Sequence, residues 1–259
     1  MKLMIFQIDA FSKKLFGGNP AAVIPLKSWL NDIVMQEIAA ENNLSETAFF
    51  VRTGERIEIR WFTPTQEVDL CGHATLATAY LIFTKLKWHK PEILFDSKSG
   101  ELGVKQEGNK IVLNFPNEKP IACKTPIGLQ EALGINILSC AKGVDYIVEV
   151  ENEEAIQNCT PDLNALAKFE TRGICITAKG NTVDFVSRFF APRYGINEDP
   201  VTGSAHTQLV PFWAEKLEQT KFHAKQISMR GGELWCELLD DRVSISGEAV
   251  RYLEGAIEV

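Results

Sequence analysis

Three polar side chains stand where proton transfer or anion binding is chemically reasonable. Glu46, in Asn-Leu-Ser-Glu-Thr-Ala-Phe-Phe, sits at the edge of an apolar run that reads as a buried strand. A carboxylate held there loses hydration, which raises its pKa and suits it to exchange protons near neutral pH. The same pattern also fits a Glu that simply opens a strand facing solvent. His73 follows Gly72 directly and can donate to a ligand at that point. Asp199 lies in Asn-Glu-Asp-Pro-Val-Thr-Gly-Ser, with Ser204 just after Gly203. Taken alone, an Asp before Pro shapes a turn, and a Ser beside Gly caps a helix.

The surroundings of the two glycines repeat. Residues 60–64 read Arg-Trp-Phe-Thr-Pro, and Gly72-His-Ala-Thr follows after seven residues. Residues 188–192 read Arg-Phe-Phe-Ala-Pro, and Gly203-Ser-Ala-His follows after ten. Each copy predicts a strand, a Pro-broken loop, a Gly and then a helix. The copies lie about half a chain apart, which indicates duplication of a whole domain and not a solenoid. A helix start leaves unpaired N–H groups and a partial positive charge. Two such ends are suited to hold a small anion such as a carboxylate, although both also fit plain helix starts in a duplicated core.

Competing chemistries lack their motifs. Asp199, Ser204 and His206 include the residue types of a hydrolytic triad, but no Gly-x-Ser-x-Gly elbow exists. Ser204 and His206, two apart on a helix, also point in different directions. No Gly-x-Gly pair and no Gly-Lys-Ser/Thr occurs, which removes the dinucleotide and P-loop signatures. The six cysteines are scattered without Cys-x-x-Cys, and the four histidines form no His-x-x-x-His pattern, so no metal site is expected.

Composition narrows the class further. The 259 residues are 45% hydrophobic and 24% charged, as in an ordinary soluble protein of one large or two smaller domains. A net charge of −7 gives no polybasic footprint, so neither nucleic acid nor an anionic membrane is an expected partner. The longest uncharged stretch, residues 70–84, is too short to span a bilayer. The opening MKLMIF runs straight into polar residues without a signal-peptide core, and a cytoplasmic location is expected.

The elements that must position these residues alternate strands with a few helices. Strands are predicted at 4–9, 21–24, 44–51 and 56–62, with a helix from a Ser28 cap to about Asn42. A buried helix is predicted at 74–83 and a hairpin across 104–115, turning at Gly108-Asn109. In the second half, short helices fit 128–133 and 205–217, the latter with Pro211 kinking it or setting its first turn. Strands fit 146–150, 174–178, 183–190, 225–229, 233–238, 243–246 and 256–259. The best boundary between halves falls in 116–126.

The combined motifs resemble the phenazine-biosynthesis PhzF-like family, within the diaminopimelate epimerase-like fold. The resemblance runs along nearly the whole chain: Asp9-Ala-Phe, Gly18-Asn-Pro-Ala-Ala-Val, Asn43-Leu-Ser-Glu-Thr-Ala-Phe, Arg60-Trp-Phe-Thr-Pro, Asp69-Leu-Cys-Gly-His-Ala-Thr, Glu198-Asp-Pro-Val-Thr-Gly-Ser-Ala and Val243-Ser-Ile-Ser-Gly-Glu-Ala. It implies an α+β fold of two pseudo-symmetric halves, each a mostly antiparallel or mixed sheet wrapped around a central helix, with the active site in the cleft between them. The halves are expected at 1–115 and 116–259, the last strand near 250–259 being a candidate to return to the first.

The resemblance also implies roles. Glu46 is the expected general acid/base, with His73 and Asp199 as its catalytic companions. Gly72, Gly203, Ser204 and Asn19 are expected to bind substrate, with no metal and no organic cofactor. The expected activity is a cofactor-independent isomerase that moves a proton between carbons of a small carboxylate, working as a homodimer. Epimerases and racemases of the wider fold use two cysteines, one beside each Gly. Here Cys71 precedes Gly72, whereas Pro200-Val201-Thr202 precedes Gly203. An epimerase pairing Glu46 with Cys71 or Asp199 and a binding module without turnover are the alternatives.

Overall fold

The computed structural model describes residues 1–86 and 88–259. Contacts divide it into two compact units, residues 1–114 with 246–259, and residues 115–245. The fold is α+β.

The first unit contains β1 (Lys2–Ala10), β2 (Asn19–Leu26), α1 (Asp32–Asn42), β3 (Glu46–Thr53), β4 (Arg56–Phe62), β5 (Glu67–Val68), α2 (Gly72–Thr84), β6 (Glu92–Ser97), β7 (Gly100–Glu107) and β8 (Lys110–Pro116). The second contains β9 (Ile121–Cys123), α3 (Leu129–Leu133), β10 (Ile137–Lys142), β11 (Tyr146–Val150), α4 (Glu153–Gln157), α5 (Leu163–Leu166), β12 (Ile174–Lys179), β13 (Phe185–Ala191), β14 (Ile196–Asp199), α6 (Gly203–Leu217), β15 (Lys221–Gln226), β16 (Gly232–Leu238) and β17 (Arg242–Gly247). The chain closes with β18 (Ala249–Glu258), which pairs antiparallel with β1 and so belongs to the first unit.

Strand pairing makes the internal echo explicit. In the first unit β1–β2 is antiparallel, β2–β3 parallel, β3–β4 antiparallel, β4–β6 parallel and β6–β7 antiparallel, with β5 on β4. In the second, β10–β11, β11–β12, β12–β13, β13–β15 and β15–β16 follow the same order of directions, with β14 on β13. Both parallel steps need a crossover. α1 makes the first in one unit, α4 and α5 in the other. α2 and α6 make the second.

α2 and α6 are the central helices. Residues 73–79 of α2 are buried without a break, and α6 is buried at 203 and from 205 to 211. A helix apolar or small on every face, as Ala-Thr-Leu-Ala-Thr-Ala is, has no solvent side to present. Sheet strands β1, β2 and β3 therefore pack against α2, while Met35 and Ile38 of α1 join Ile24, Phe49 and Phe62 in a core on the sheet's other side-chain set. The second unit repeats this with Leu129, Leu133, Val148, Ile156, Ile174 and Phe190.

Several expected boundaries move. The cap of α1 is Asn31, whose side chain accepts from the Ile33 N–H at 2.9 Å, and not Ser28. Pro211 lies inside α6 and does not set its first turn. The carbonyl four residues earlier, on Thr207, loses its helical donor and accepts instead from the Glu118 N–H at 3.2 Å. The strand expected at 225–229 runs at Lys221–Gln226, because its buried alternation is Phe222, Ala224, Gln226. The last strand starts seven residues before the expected 256, at Ala249. Among the described residues no helix is long and apolar enough to cross a membrane.

Candidate active site

The echoed motifs do the same local work in each unit. Arg60 on β4 grips Glu67 on β5 with two bonds, Nε at 2.7 Å and Nη2 at 2.9 Å. Arg188 on β13 grips Glu198 on β14 in the same way, at 2.7 and 3.0 Å. These forks hold the strand that returns after each Pro-broken loop, immediately before the central helix. The paired Arg60 guanidinium holds the Glu67 carboxyl below its usual range.

α2 then starts at Gly72 and α6 at Gly203. Asn31, Asn152 and Asp162 cap α1, α4 and α5 with side-chain oxygens. The cap positions of the central helices, Cys71 and Thr202, make no such bond, and neither first turn carries an acidic residue. The opening N–H groups therefore keep their affinity for an anion. Ser204 is the second residue of α6 and not its cap.

In the first unit β2, β3 and α2 bring together Asn19, Glu46, Gly72 and His73. Glu46 opens β3 opposite Ala21 of β2. Asn19 opens β2 and is fully buried. Gly18 before it holds φ +67°, and a Cβ there would fall 2.1 Å from the Ala10 carbonyl oxygen. The Asp9 carboxylate accepts from the Phe16 N–H at 3.0 Å and fixes the same loop.

His73 is the pivot of this cluster. Its Nδ1 lies 3.3 Å from the Asn19 amide nitrogen and 3.6 Å from the Cys71 sulfur. An amide NH₂ only donates, so Nδ1 accepts and the neutral ring carries its proton on Nε2. That Nε2 faces Glu46 Oε2 at 3.2 Å, off the line of a good hydrogen bond. Burial pulls the His73 pKa down to about 3, so the ring is neutral across physiological pH. The Glu46 side chain is 14% exposed, reachable yet largely desolvated.

A carboxylate oxygen, the Cys71 thiol and an imidazole nitrogen here lie within 4.8 Å of one another. Such a donor set is of the kind that binds zinc. Linear spacing gave no sign of it, because Glu46 comes from β3 while Cys71 and His73 come from the cap and first turn of α2.

In the second unit Asp199 ends β14 and is buried. Its Oδ2 accepts from the Thr202 hydroxyl at 2.5 Å. Gln226 of β15 clamps this loop with its amide, donating to the Asp199 carbonyl at 2.7 Å and accepting from the Thr202 N–H at 2.9 Å. His206, fully buried, holds the Thr202 carbonyl through Nδ1 at 2.8 Å. Burial drives its pKa down to about 4.

Sequence reasoning missed one polar network beside Ser204. Asp145, without exposed surface, binds Arg172 through Nε at 2.9 Å and through Nη2, and Gln208 at 2.7 Å. Arg172 Nη1 then donates to the Ser204 hydroxyl at 3.0 Å. Asp145, Arg172 and Gln208 are far apart in sequence and lie in no repeated motif, so no local signal reveals them.

The comparisons with known proteins agree along the whole chain. The model of the phenazine biosynthesis-like PhzC-PhzF family matches residues 8–255. The chain is 49% identical to an uncharacterized isomerase of Pseudomonas aeruginosa, with both chains fully covered. The crystal structure of a PhzF-family phenazine biosynthesis protein from Enterococcus faecalis superposes with a TM-score of 0.98, at 44% identity and full coverage of both. A probable proline racemase from Agrobacterium radiobacter, 10% identical over 99% of this chain and 92% of its own, shares the fold at a TM-score of 0.65. Matched from end to end by relatives that carry the isomerase name, and built on the same fold, this chain belongs to the phenazine biosynthesis-like PhzC-PhzF family and is an isomerase.

Proposed function

We propose that the protein is a cofactor-independent isomerase that moves a proton between two carbons of a small carboxylate, with Glu46 as the acid/base. The observation that carries this reading is the Glu46 carboxylate 3.2 Å from the neutral, buried His73, beside the uncapped start of α2. The N–H groups at Gly72 and His73 are suited to a substrate carboxylate, and those at Gly203 and Ser204 offer a second such cradle. Asn19 orients His73, and Asp199 shapes the loop that opens α6.

The reaction needs one base that takes a proton and gives it back. Ionised Glu46 removes a proton from a carbon next to an unsaturated system. The electron pair delocalises into that system, and protonated Glu46 returns the proton at another carbon. The Nε2–H of His73 can steady the carboxylate in its ionised phase. Acid–base help of this kind is worth roughly 10²–10⁴ in rate. A two-thiol racemase would need a second cysteine where α6 has Thr202.

The homodimeric state and a cytoplasmic location belong to the same proposal. Its test pairs two measurements on Glu46→Gln: ligand affinity by calorimetry, expected within a few-fold of wild type, and turnover, expected to fall at least about 10²-fold. Undiminished turnover in that variant refutes the proposal.

A further inference from the structure

Outside the candidate active site, two cysteines of the second unit face each other. Cys123 of β9 and Cys140 of β10 are register partners on antiparallel strands, and their sulfurs lie 3.7 Å apart. Directly opposed residues on such strands have Cα atoms about 4.5–5.5 Å apart, inside the roughly 4.4–6.8 Å that a disulfide bridges. Rotation of the side chains is enough to bring the sulfurs together. We propose that Cys123 and Cys140 form a reversible redox modification site that closes into a cross-strand disulfide by exchange with a small-molecule disulfide.

Exposure and surroundings assign each thiol a part. Cys123 is exposed, whereas Cys71, Cys140, Cys159, Cys175 and Cys236 are buried. The ammonium of Lys142, two residues along β10, lies within electrostatic range of both sulfurs. Burial pushes the Cys140 thiol up to about 12, so Cys123 is the attacking group and Cys140 the resolving one. Cys159, by contrast, is committed to the Leu133 carbonyl at 3.3 Å.

The exchange balances with oxidised glutathione as the co-reactant. The Cys123 thiolate attacks one sulfur of the glutathione disulfide and expels one glutathione thiolate. Cys140 gives its proton to that thiolate or to water and attacks the Cys123 sulfur, expelling the second glutathione. Two protein thiols are oxidised and one glutathione disulfide is reduced to two thiols. In a reducing pool the pair stays open. The closed bond staples β9, a three-residue strand with every residue exposed, to β10.

The test treats the full native chain with oxidised glutathione, alkylates the remaining thiols after unfolding, and maps the peptides by mass spectrometry. Wild type should lose two alkylatable thiols of its six, retain no glutathione, and yield one cross-linked peptide pair containing Cys123 and Cys140. Dithiothreitol should restore all six. Cys140→Ser should stop at a single glutathione adduct on Cys123, and Cys123→Ser should take up none. A stable glutathione adduct on wild-type Cys123, any other pairing, or six unmodified thiols would overturn the proposal.

Discussion

His73 and His206 are both buried in the first turn of a central helix, one residue after Gly72 and three after Gly203, and each is kept neutral by its surroundings. The consequence is a defined acid response. Their folded pKa values, about 3 and 4, lie below the ordinary 6.5, so below that value the unfolded chain binds protons that the native chain refuses. The stability they contribute is complete above about pH 6.5 and is lost as pH falls toward 4 and then 3. Urea unfolding followed from pH 7.5 down to 4.5 should show a declining midpoint, and His73→Gln should flatten part of the slope. Ring-proton NMR should show neither histidine titrating above pH 5. A His73 resonance that moves near pH 6.5 would contradict the neutral, Nε2-protonated ring.

At the scale of elements, each central helix starts without a side-chain cap, and buried polar networks support the start of α6. Arg172 commits three of its five N–H donors to Asp145 and Ser204. Removing it strands a carboxylate that has no exposed surface. Because the Arg172 side chain is itself 38% exposed, Arg172→Met should cost roughly 3 kcal/mol, the lower end for breaking a buried pair. Arg172→Met with Asp145→Leu should recover much of that loss, which thermal unfolding of the single and double variants will measure. The helices themselves were legible in the sequence, the first from the small and apolar run 74–83 and the second as the segment 205–217 after the second Gly. Asp145, Arg172 and Gln208 were not, because a pairing across distant segments leaves no periodicity. Strands such as β6 and β10 were also missed. Their partly exposed residues, Leu94 and Leu138 among them, blur the alternation on which such a prediction depends.

Across the whole molecule, duplication explains why one motif occurs twice with different chemistry. Both copies keep the Arg–Glu fork, the Pro-broken loop and the Gly that starts the helix. The first adds a carboxylate, Glu46, beside the histidine that follows its Gly. The repeat of motif residues in the sequence pointed to a duplicated domain, whereas it could not foretell that Glu46, Cys71 and His73 meet, because that depends on β3 lying beside α2. The first unit is also discontinuous: nine of the ten residues of β18 pair along β1, with Tyr252 passed over at a bulge. A chain ending at Gly247 leaves β1 with an open edge, and it should lose its cooperative unfolding transition and aggregate. A truncated chain with wild-type stability would show that β18 is dispensable.

The central claim is that Glu46 carries a proton between carbons. Its most direct test is NMR in D₂O with a panel of small cyclic and amino carboxylates, comparing wild type with Glu46→Gln. The account predicts that deuterium enters a carbon position of the reactive compound with wild type, and that Glu46→Gln binds the same compound without exchanging it. Equal exchange by both proteins, or binding by both with no exchange in either, would contradict it.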